Sequence, residues 1–283
     1  MLRIEHLTKK YGDKKAVDNL SLHIQKGEIY GFIGHNGAGK TTTIKSCCGI
    51  LNFDEGEIYV DGVSVKEKPL ECKRKMAYIP DNPDLYEFMT GIKYLNFIAD
   101  IFGISQSDRQ ARISKYAEMF EIKNALAQTI DSYSHGMKQK LAIVSALIHN
   151  PKLIIMDEPF VGLDPKSSHL LKTLMREMCD NGGAIFFSTH VLEVAEKLCD
   201  KVAIIKSGKL IKSGTMDEVK GDDSLEDVFL ELEEKDGALI LRPREIRCAF
   251  CGTDEDVLKL KGKGICVSCL EKAQEQKGED NED

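Results

Sequence analysis

The sequence has no long apolar run and no excess of positive charge, and each absence excludes a class of protein. No stretch of its 283 residues approaches the roughly 18 consecutive apolar residues of a membrane-spanning helix. The first residues, Met1 to His6, lack the apolar core of a secretion signal. The formal net charge of −7 argues against general nucleic-acid binding, which depends on neutralising phosphates. We therefore expect a cytoplasmic protein that reaches a membrane only through a partner and binds no nucleic acid.

Short apolar runs alternate with amphipathic segments up to about residue 234, which predicts one α/β domain. Two strands are predicted at residues 22–24 and 28–33. Three further runs are apolar throughout, as is typical of buried parallel strands, at residues 153–156, 184–187 and 202–205. Apolar residues at helical spacing predict helices at residues 92–102, 107–120 and 136–148.

The composition changes near Glu233 and divides the remainder into three parts. Residues 235–246 are predicted to be a linker, with a short strand at 238–241. Residues 247–273 carry two pairs of cysteines and are predicted to form a small module. Residues 274–283 are polar and mostly acidic, which predicts a disordered tail.

A glycine-rich segment follows the predicted strand at 28–33 and precedes a helix predicted from Thr42 to Cys48. Its pattern is that of a P-loop, in the strand-before, helix-after setting that a P-loop requires. Glycines let backbone N–H groups turn towards phosphate oxygens, and the helix start adds the positive end of its dipole. Lys40 is expected to reach the β- and γ-phosphates, and Thr41 to offer its hydroxyl to Mg²⁺. The residues predicted to bind nucleotide here are Gly34, Asn36, Gly37, Ala38, Gly39, Lys40, Thr41 and Thr42.

Two adjacent carboxylates follow the apolar run at 153–156. A carboxylate at the end of a buried parallel strand points into the ligand crevice of the sheet. Asp157 suits a Mg²⁺ ligand, and Glu158 suits a base that polarises an attacking water.

The segment from Tyr133 to Lys140 resembles the Leu-Ser-Gly-Gly-Gln signature of the ABC ATPases. Ser134 and Gly136 match the signature, whereas His135 and Met137 depart from it. The segment begins a predicted helix, so its free N–H groups can receive a phosphate. In this family the signature faces the γ-phosphate bound by the other subunit. The resemblance therefore implies a head-to-tail dimer with two ATP molecules at its interface.

Further residues match the same family in chain order. Tyr11 stands where the family places an aromatic ring on adenine, Asp164 lies in the loop that couples the two sites, and His190 matches the histidine that contacts the γ-phosphate. The family usually has a glutamine at position 81, which touches Mg²⁺ and the water and lies in a loop that faces the membrane subunit. Here that residue is Asp81, whose carboxylate has a shorter reach but can still approach Mg²⁺, so Asp81 is a candidate residue of the nucleotide site.

The resemblance covers residues 1 to about 234 and implies a P-loop NTPase fold with a RecA-like core and antiparallel β and helical subdomains. It implies an ATP-hydrolysing subunit, with Glu158, His190 and Lys40 as catalytic residues. Such a subunit sits at the inner face of the cell membrane against a separate permease. Acidic residues in the loop after position 80 and the closing stretch at 224–230 resemble those of export-type subunits. The alternative is a soluble ABC ATPase that acts with a protein partner.

The C-terminal cysteines form two Cys-x-x-Cys pairs with fourteen residues between them. Four thiolates at such spacing can hold one Zn²⁺ tetrahedrally, and metal binding would stabilise a segment too small for an apolar core. A redox dithiol is the other interpretation. The stretch resembles the zinc-binding domain of the ClpX protein unfoldase, which implies dimerisation or recognition of a protein partner. The predicted zinc ligands are Cys248, Cys251, Cys266 and Cys269.

Overall fold

In the computed structural model of the chain, residues 1–234, 257–260 and 263–268 are described. The chain divides into two compact units, Met1–Val219 and Lys220–Asp283. The strands of the described residues are β1 (Leu2–Tyr11), β2 (Lys14–Ile24), β3 (Ile29–Ile33), β4 (Glu55–Val60), β5 (Val63–Ser64), β6 (Met76–Ile79), β7 (Leu153–Asp157), β8 (Ala184–Thr189), β9 (Lys201–Lys206), β10 (Lys209–Thr215), β11 (Val257–Leu260) and β12 (Lys263–Cys266). The helices are α1 (Lys40–Cys47), α2 (Pro69–Lys75), α3 (Gly91–Ile101), α4 (Gln106–Met119), α5 (His135–Leu147), α6 (Pro165–Asp180), α7 (Leu192–Leu198), α8 (Met216–Lys220) and α9 (Leu225–Glu234).

The larger sheet of the first unit has the strand order β10-β9-β3-β8-β7-β6. Its strands from β9 to β6 run parallel, and β10 is an antiparallel edge. Every residue of β3, β7 and β8 is buried, because helices cover both faces of such a sheet. The parallel direction brings the carboxyl ends of these strands to one edge, where a ligand crevice forms.

The smaller sheet is antiparallel, with the order β2-β1-β4-β5. Register shifts interrupt the pairing of β1 with β2 between Ile4 and Lys10, so the strand bulges. One apolar cluster contains the buried apolar side chains of this sheet, Tyr30 and Phe32 of β3, Ala184 and Phe186 of β8, and Ile44 of α1. The helix that follows the P-loop is therefore anchored in the core.

Helices α3, α4 and α5 lie between β6 and β7 in the chain and pack together. Leu95 and Ala99 form the buried face of α3, and Ile113 and Ala117 that of α4. The side chain of Ser134 begins α5 by accepting a hydrogen bond from the Met137 N–H at 3.3 Å. These helices form the helical subdomain.

The second unit contains α9 and an antiparallel hairpin in which β11 pairs with β12. At the start of α9 the hydroxyl of Ser224 accepts from the Asp227 N–H at 3.1 Å. The linker with its strand at 238–241, the acidic tail, and Cys248, Cys251 and Cys269 lie outside the described residues. Cys266 is the last residue of β12 and is buried.

The predicted α/β architecture is confirmed, with corrections at its edges. The runs predicted as buried parallel strands are β7, β8 and β9, and the predicted helices are α3, α4 and α5. Each lies within one residue of its predicted bounds except β8, which extends two residues further, to Thr189. The predicted strand at 22–24 is only the end of the much longer β2. The P-loop helix starts at Lys40 rather than Thr42, since the turn after Gly39 already has helical geometry. None of the helices in the described part of the chain has both the length and the apolar character to cross a membrane.

Candidate functional site

The P-loop connects β3 to α1 at the carboxyl edge of the parallel sheet. The ammonium of Lys40 donates to the carbonyl oxygens of Gly34 at 2.6 Å and His35 at 3.2 Å, and its side chain is 6% exposed. Gly39 has a φ of 109°, and a Cβ there would lie 2.4 Å from the carbonyl oxygen of Ala16. Only glycine fits this position, so the loop lies directly against β2.

Asp157 ends β7 and is almost fully buried. One of its carboxylate oxygens accepts from the Thr41 hydroxyl at 2.7 Å, and the other accepts from the Ser188 hydroxyl on β8. Both hydrogen bonds orient the carboxylate towards the P-loop. Hydroxyl and carboxylate oxygens are the ligands that Mg²⁺ prefers, so the predicted pair fits this cation.

Glu158 follows in a left-handed backbone conformation, with a φ of 47°. This conformation costs a non-glycine residue roughly 1–2 kcal/mol. Its N–H donates to both the carbonyl and the hydroxyl of Ser188, which holds the turn in place. Strain of this kind is concentrated at functional sites, which agrees with the role predicted for this residue.

The carboxylate of Glu158 has two different environments. Oε2 lies 3.0 Å from Nδ1 of His190, whose backbone N–H also donates to it. Oε1 is buried, lies 3.7 Å from the Lys40 ammonium and has no hydrogen-bond partner among the described residues. The glutamate is thus held by one oxygen, while the other is left to accept a hydrogen bond.

A cleft of about 330 Å³ opens above the P-loop. Lys14, Ala16 and His35 line it too, and the sequence analysis did not single them out. Gly34 and Ala38 belong to the P-loop but are buried and are not part of the described lining of the cleft. His190 joins the site through its contact with Glu158. The predicted residues that line the cleft are Tyr11, Asn36, Gly37, Gly39, Lys40, Thr41, Thr42, Asp81, Asp157 and Glu158.

Tyr11 and Asp81 occupy different parts of this cleft. The Tyr11 ring is 52% exposed, which leaves one of its faces open for stacking. Burial raises the pKa of Asp81, and the negative charges of Asp157 and Glu158 raise it further. Asp81 therefore lies in the field of the other two carboxylates.

The predicted signature residues form a separate group. A Cβ on Gly136 would lie 2.7 Å from the carbonyl oxygen of Gly162, and one on Gly162 would lie 2.5 Å from the His135 ring. The Asp164 carboxylate accepts from the Ser167 N–H, which caps α6, and lies 2.7 Å from the Lys140 ammonium. The hydrogen bond from Lys140 and those from Ser167 lower the pKa of Asp164.

Ser134, Gly136 and Asp164 are absent from the described lining of the P-loop cleft. The chain thus brings together the P-loop, the two carboxylates, Tyr11, Asp81 and His190. It places the signature with the loop that follows Glu158.

Ser188 and Lys140 are two further residues to which the sequence analysis assigned no role. Ser188 is a polar residue near the carboxyl end of an otherwise apolar strand, and that position is a usable signal. Lys140 carries no such signal, since its partner Asp164 is distant in sequence. The scattered residues Cys47, Cys48, Cys72, Cys179 and Cys199 are all buried.

The metal prediction for the C-terminal cysteines falls largely outside the described residues. Of the four, Cys266 alone belongs to the part of the chain that is described. Within that part, no group of three or more histidine, cysteine or acidic side chains is arranged to hold a metal ion.

The chain is similar to known ATP-binding proteins along its whole length. The family described as ABC transporter matches residues 17–161. The ABC transporter ATP-binding protein YxlF of Bacillus subtilis is 35% identical, over all of this chain and 97% of its own length. The linearmycin resistance ATP-binding protein LnrL of the same organism is 35% identical, over 76% of this chain and 69% of its own.

A solved structure, described as the ATP-binding subunit of an ABC transporter, has the same fold. It superposes with a TM-score of 0.79 at 34% identity, over 82% of this chain and 99% of its own length. Because family and fold agree, the chain belongs to the ABC transporter family, as an ATP-binding subunit whose hydrolysis of ATP powers transport through a membrane permease.

Proposed function

We propose that this subunit works as a head-to-tail dimer, of two identical or two related chains, in a transporter that exports its substrate. The observation that carries the proposal is the cleft in which Lys40 and Thr41 face Asp157 and Glu158. Similarity to a protein named for linearmycin resistance supports export, as does the resemblance of residues 224–230 to export-type subunits. The permease holds the subunit at the inner face of the membrane.

In this proposal Glu158 orients and polarises the attacking water. The unpartnered Oε1 is the atom suited to this, because Oε2 is already engaged by His190. Lys40 and His190 stabilise negative charge on the transferring phosphoryl group. Thr41 and Asp157 are the residues that would hold Mg²⁺, which would supply positive charge to the phosphate oxygens. Tyr11 stacks on the adenine ring.

The dimer completes each site. Ser134 and Gly136 begin α5, whose free N–H groups are suited to the γ-phosphate held by the partner subunit. ATP binding closes the dimer, and hydrolysis followed by phosphate release reopens it. Asp164 anchors the coupling loop to α5 through Lys140.

Glu158→Gln tests the base. We expect ATP turnover to fall about a hundredfold or more, because the amide cannot accept a proton. ATP-dependent dimerisation, measured by size-exclusion chromatography, should persist because the amide keeps the shape of the side chain. The matched control is Glu193→Gln, which changes an exposed glutamate on α7. Undiminished turnover in Glu158→Gln would remove this residue as the base.

Ser188→Ala tests the support of the two carboxylates. The change leaves Asp157 with one hydrogen bond fewer and leaves the Glu158 N–H with the carbonyl of residue 188 alone as acceptor. We expect a loss of about 10–100-fold in apparent Mg²⁺ affinity or in turnover. Ser46→Ala is the matched control, since this buried hydroxyl donates only within α1, to the Thr42 carbonyl. Equal Mg²⁺ dependence in the two variants would contradict the proposed role.

The permease is proposed to contact an exposed aromatic cluster in the loop after Asp81. Phe88 is 78% exposed, and its ring lies 6.0 Å from that of Tyr86, which also packs on Phe97 of α3. A neighbouring cavity of about 330 Å³ lies between Met76, Tyr78 and the α3 residues Tyr94 and Ile98. An aromatic patch beside an apolar groove suits a short amphipathic helix of the permease.

Purification from detergent-solubilised membranes tests this contact. We expect a polytopic membrane protein to copurify with the tagged chain and to be lost from Phe88→Ala, while basal ATPase activity stays. Leu70→Ala is the control, since Leu70 is 74% exposed on α2. Copurification of ribosomes, or of a soluble protein partner in place of a permease, would favour the soluble alternative.

The four C-terminal cysteines are proposed to hold one structural Zn²⁺ and to form a module for dimerisation or for a protein partner. Their spacing and their resemblance to the ClpX zinc-binding domain support this. We expect about one zinc per chain by elemental analysis of the purified protein, because structural sites use four protein ligands. The double variant Cys248→Ser, Cys251→Ser should lose the bound zinc. The control Cys72→Ser should keep it. A zinc-free protein with a reducible disulfide would instead indicate a redox dithiol.

A further inference from the structure

The cleft that is proposed to hold the nucleotide has more negative than positive side chains. Three carboxylates line it, from Asp81, Asp157 and Glu158, and the lysines of the lining are Lys14 and Lys40. The carboxylates thus outnumber the lysines among the described residues that line the cleft. This excess of carboxylates repels a nucleoside triphosphate, because the triphosphate is strongly anionic.

Asp81 differs from the other two carboxylates in its surroundings. Asp157 accepts hydrogen bonds from two hydroxyls, and Glu158 lies beside the Lys40 ammonium and the His190 ring. Within the described part of the chain, the Asp81 carboxylate has no hydrogen bond and no ion pair. It lies on the wall of the cleft in the field of two like charges, with the His135 and His190 rings acting in the opposite direction.

We propose that Asp81 makes nucleotide binding conditional on a divalent cation, so that the cleft accepts the cation complex of a nucleoside triphosphate and rejects the metal-free form. The proposal rests on the assignment of the cleft as the Mg²⁺–ATP site. A carboxylate attracts the cation and repels the phosphates, so both effects act in the same direction. The glutamine that the family usually has here carries no charge and contributes neither effect.

In this cleft, binding of the divalent cation and binding of the nucleotide are coupled. If the cation raises nucleotide affinity by some factor, the nucleotide must raise cation affinity by the same factor. Removing the charge at position 81 should therefore reduce the coupling factor measured from either ligand.

The test measures binding of a fluorescent, non-hydrolysable ATP analogue to the full-length protein. Dissociation constants are determined in excess Mg²⁺ and in excess EDTA, and their ratio is compared between wild type, Asp81→Gln and Asp84→Asn. We expect the ratio to fall about tenfold in Asp81→Gln, mainly through tighter binding in EDTA. Asp84→Asn removes an exposed carboxylate from the same loop, outside the described lining of the cleft, and should keep the wild-type ratio.

A second titration measures the Mg²⁺ concentration for half-maximal binding at fixed nucleotide. Because the two affinities are linked, this Mg²⁺ concentration should be higher in Asp81→Gln than in wild type when the ratio of dissociation constants is lower. An unchanged ratio in Asp81→Gln, or a lower ratio without this rise, would overturn the proposal. Asp81→Asn, close in shape to the native residue, replaces the glutamine variant if circular dichroism shows that the latter is unfolded. Failure of wild type to bind the Mg²⁺ complex would count against the cleft assignment itself.

Discussion

The hydrogen bond from the Thr41 hydroxyl to the Asp157 carboxylate joins residues 116 positions apart, and the arrangement of the whole site depends on it. It exists because β3 and β7 flank β8 in one parallel sheet, so that the P-loop and the acidic turn leave the same edge. Ser188 lies near the end of β8, between these two strands. Its hydroxyl donates to the second oxygen of Asp157 and accepts from the Glu158 N–H. Three adjacent strand ends therefore place the hydroxyl, the carboxylate and the glutamate as one unit.

The phosphate cradle is fixed from behind by close backbone contacts. Gly39 lies against the carbonyl of Ala16 in β2, and Gly34 lies against that of Ile205 in β9, with no room for a Cβ at either position. The antiparallel sheet and the parallel sheet thus meet at the loop. Because α1 carries Ile44 into the shared core, the loop cannot shift without disturbing both sheets. This is the rigidity that a preorganised phosphate site needs.

Much of this arrangement was predictable from the sequence, and what was not has physical reasons. The buried strands β7, β8 and β9 are continuous apolar runs, and the residues at their ends carry the expected chemistry. The strand β1 was not predicted because its bulges break the alternation of buried and exposed residues. Ser188 and Lys140 act through partners distant in sequence, and spacing does not encode such contacts. The roles of the four C-terminal cysteines remain predictions.

The start of α5 is fastened at two points to the turn that follows Glu158. The His135 ring fills the space above Gly162, and Lys140 pairs with Asp164 one helical turn further along. A segment pinned at both ends transmits displacement rather than absorbing it. A rearrangement around Glu158 in one subunit would thus displace the start of α5, which is proposed to meet the partner's nucleotide. The two nucleotide sites of a dimer would then be mechanically coupled.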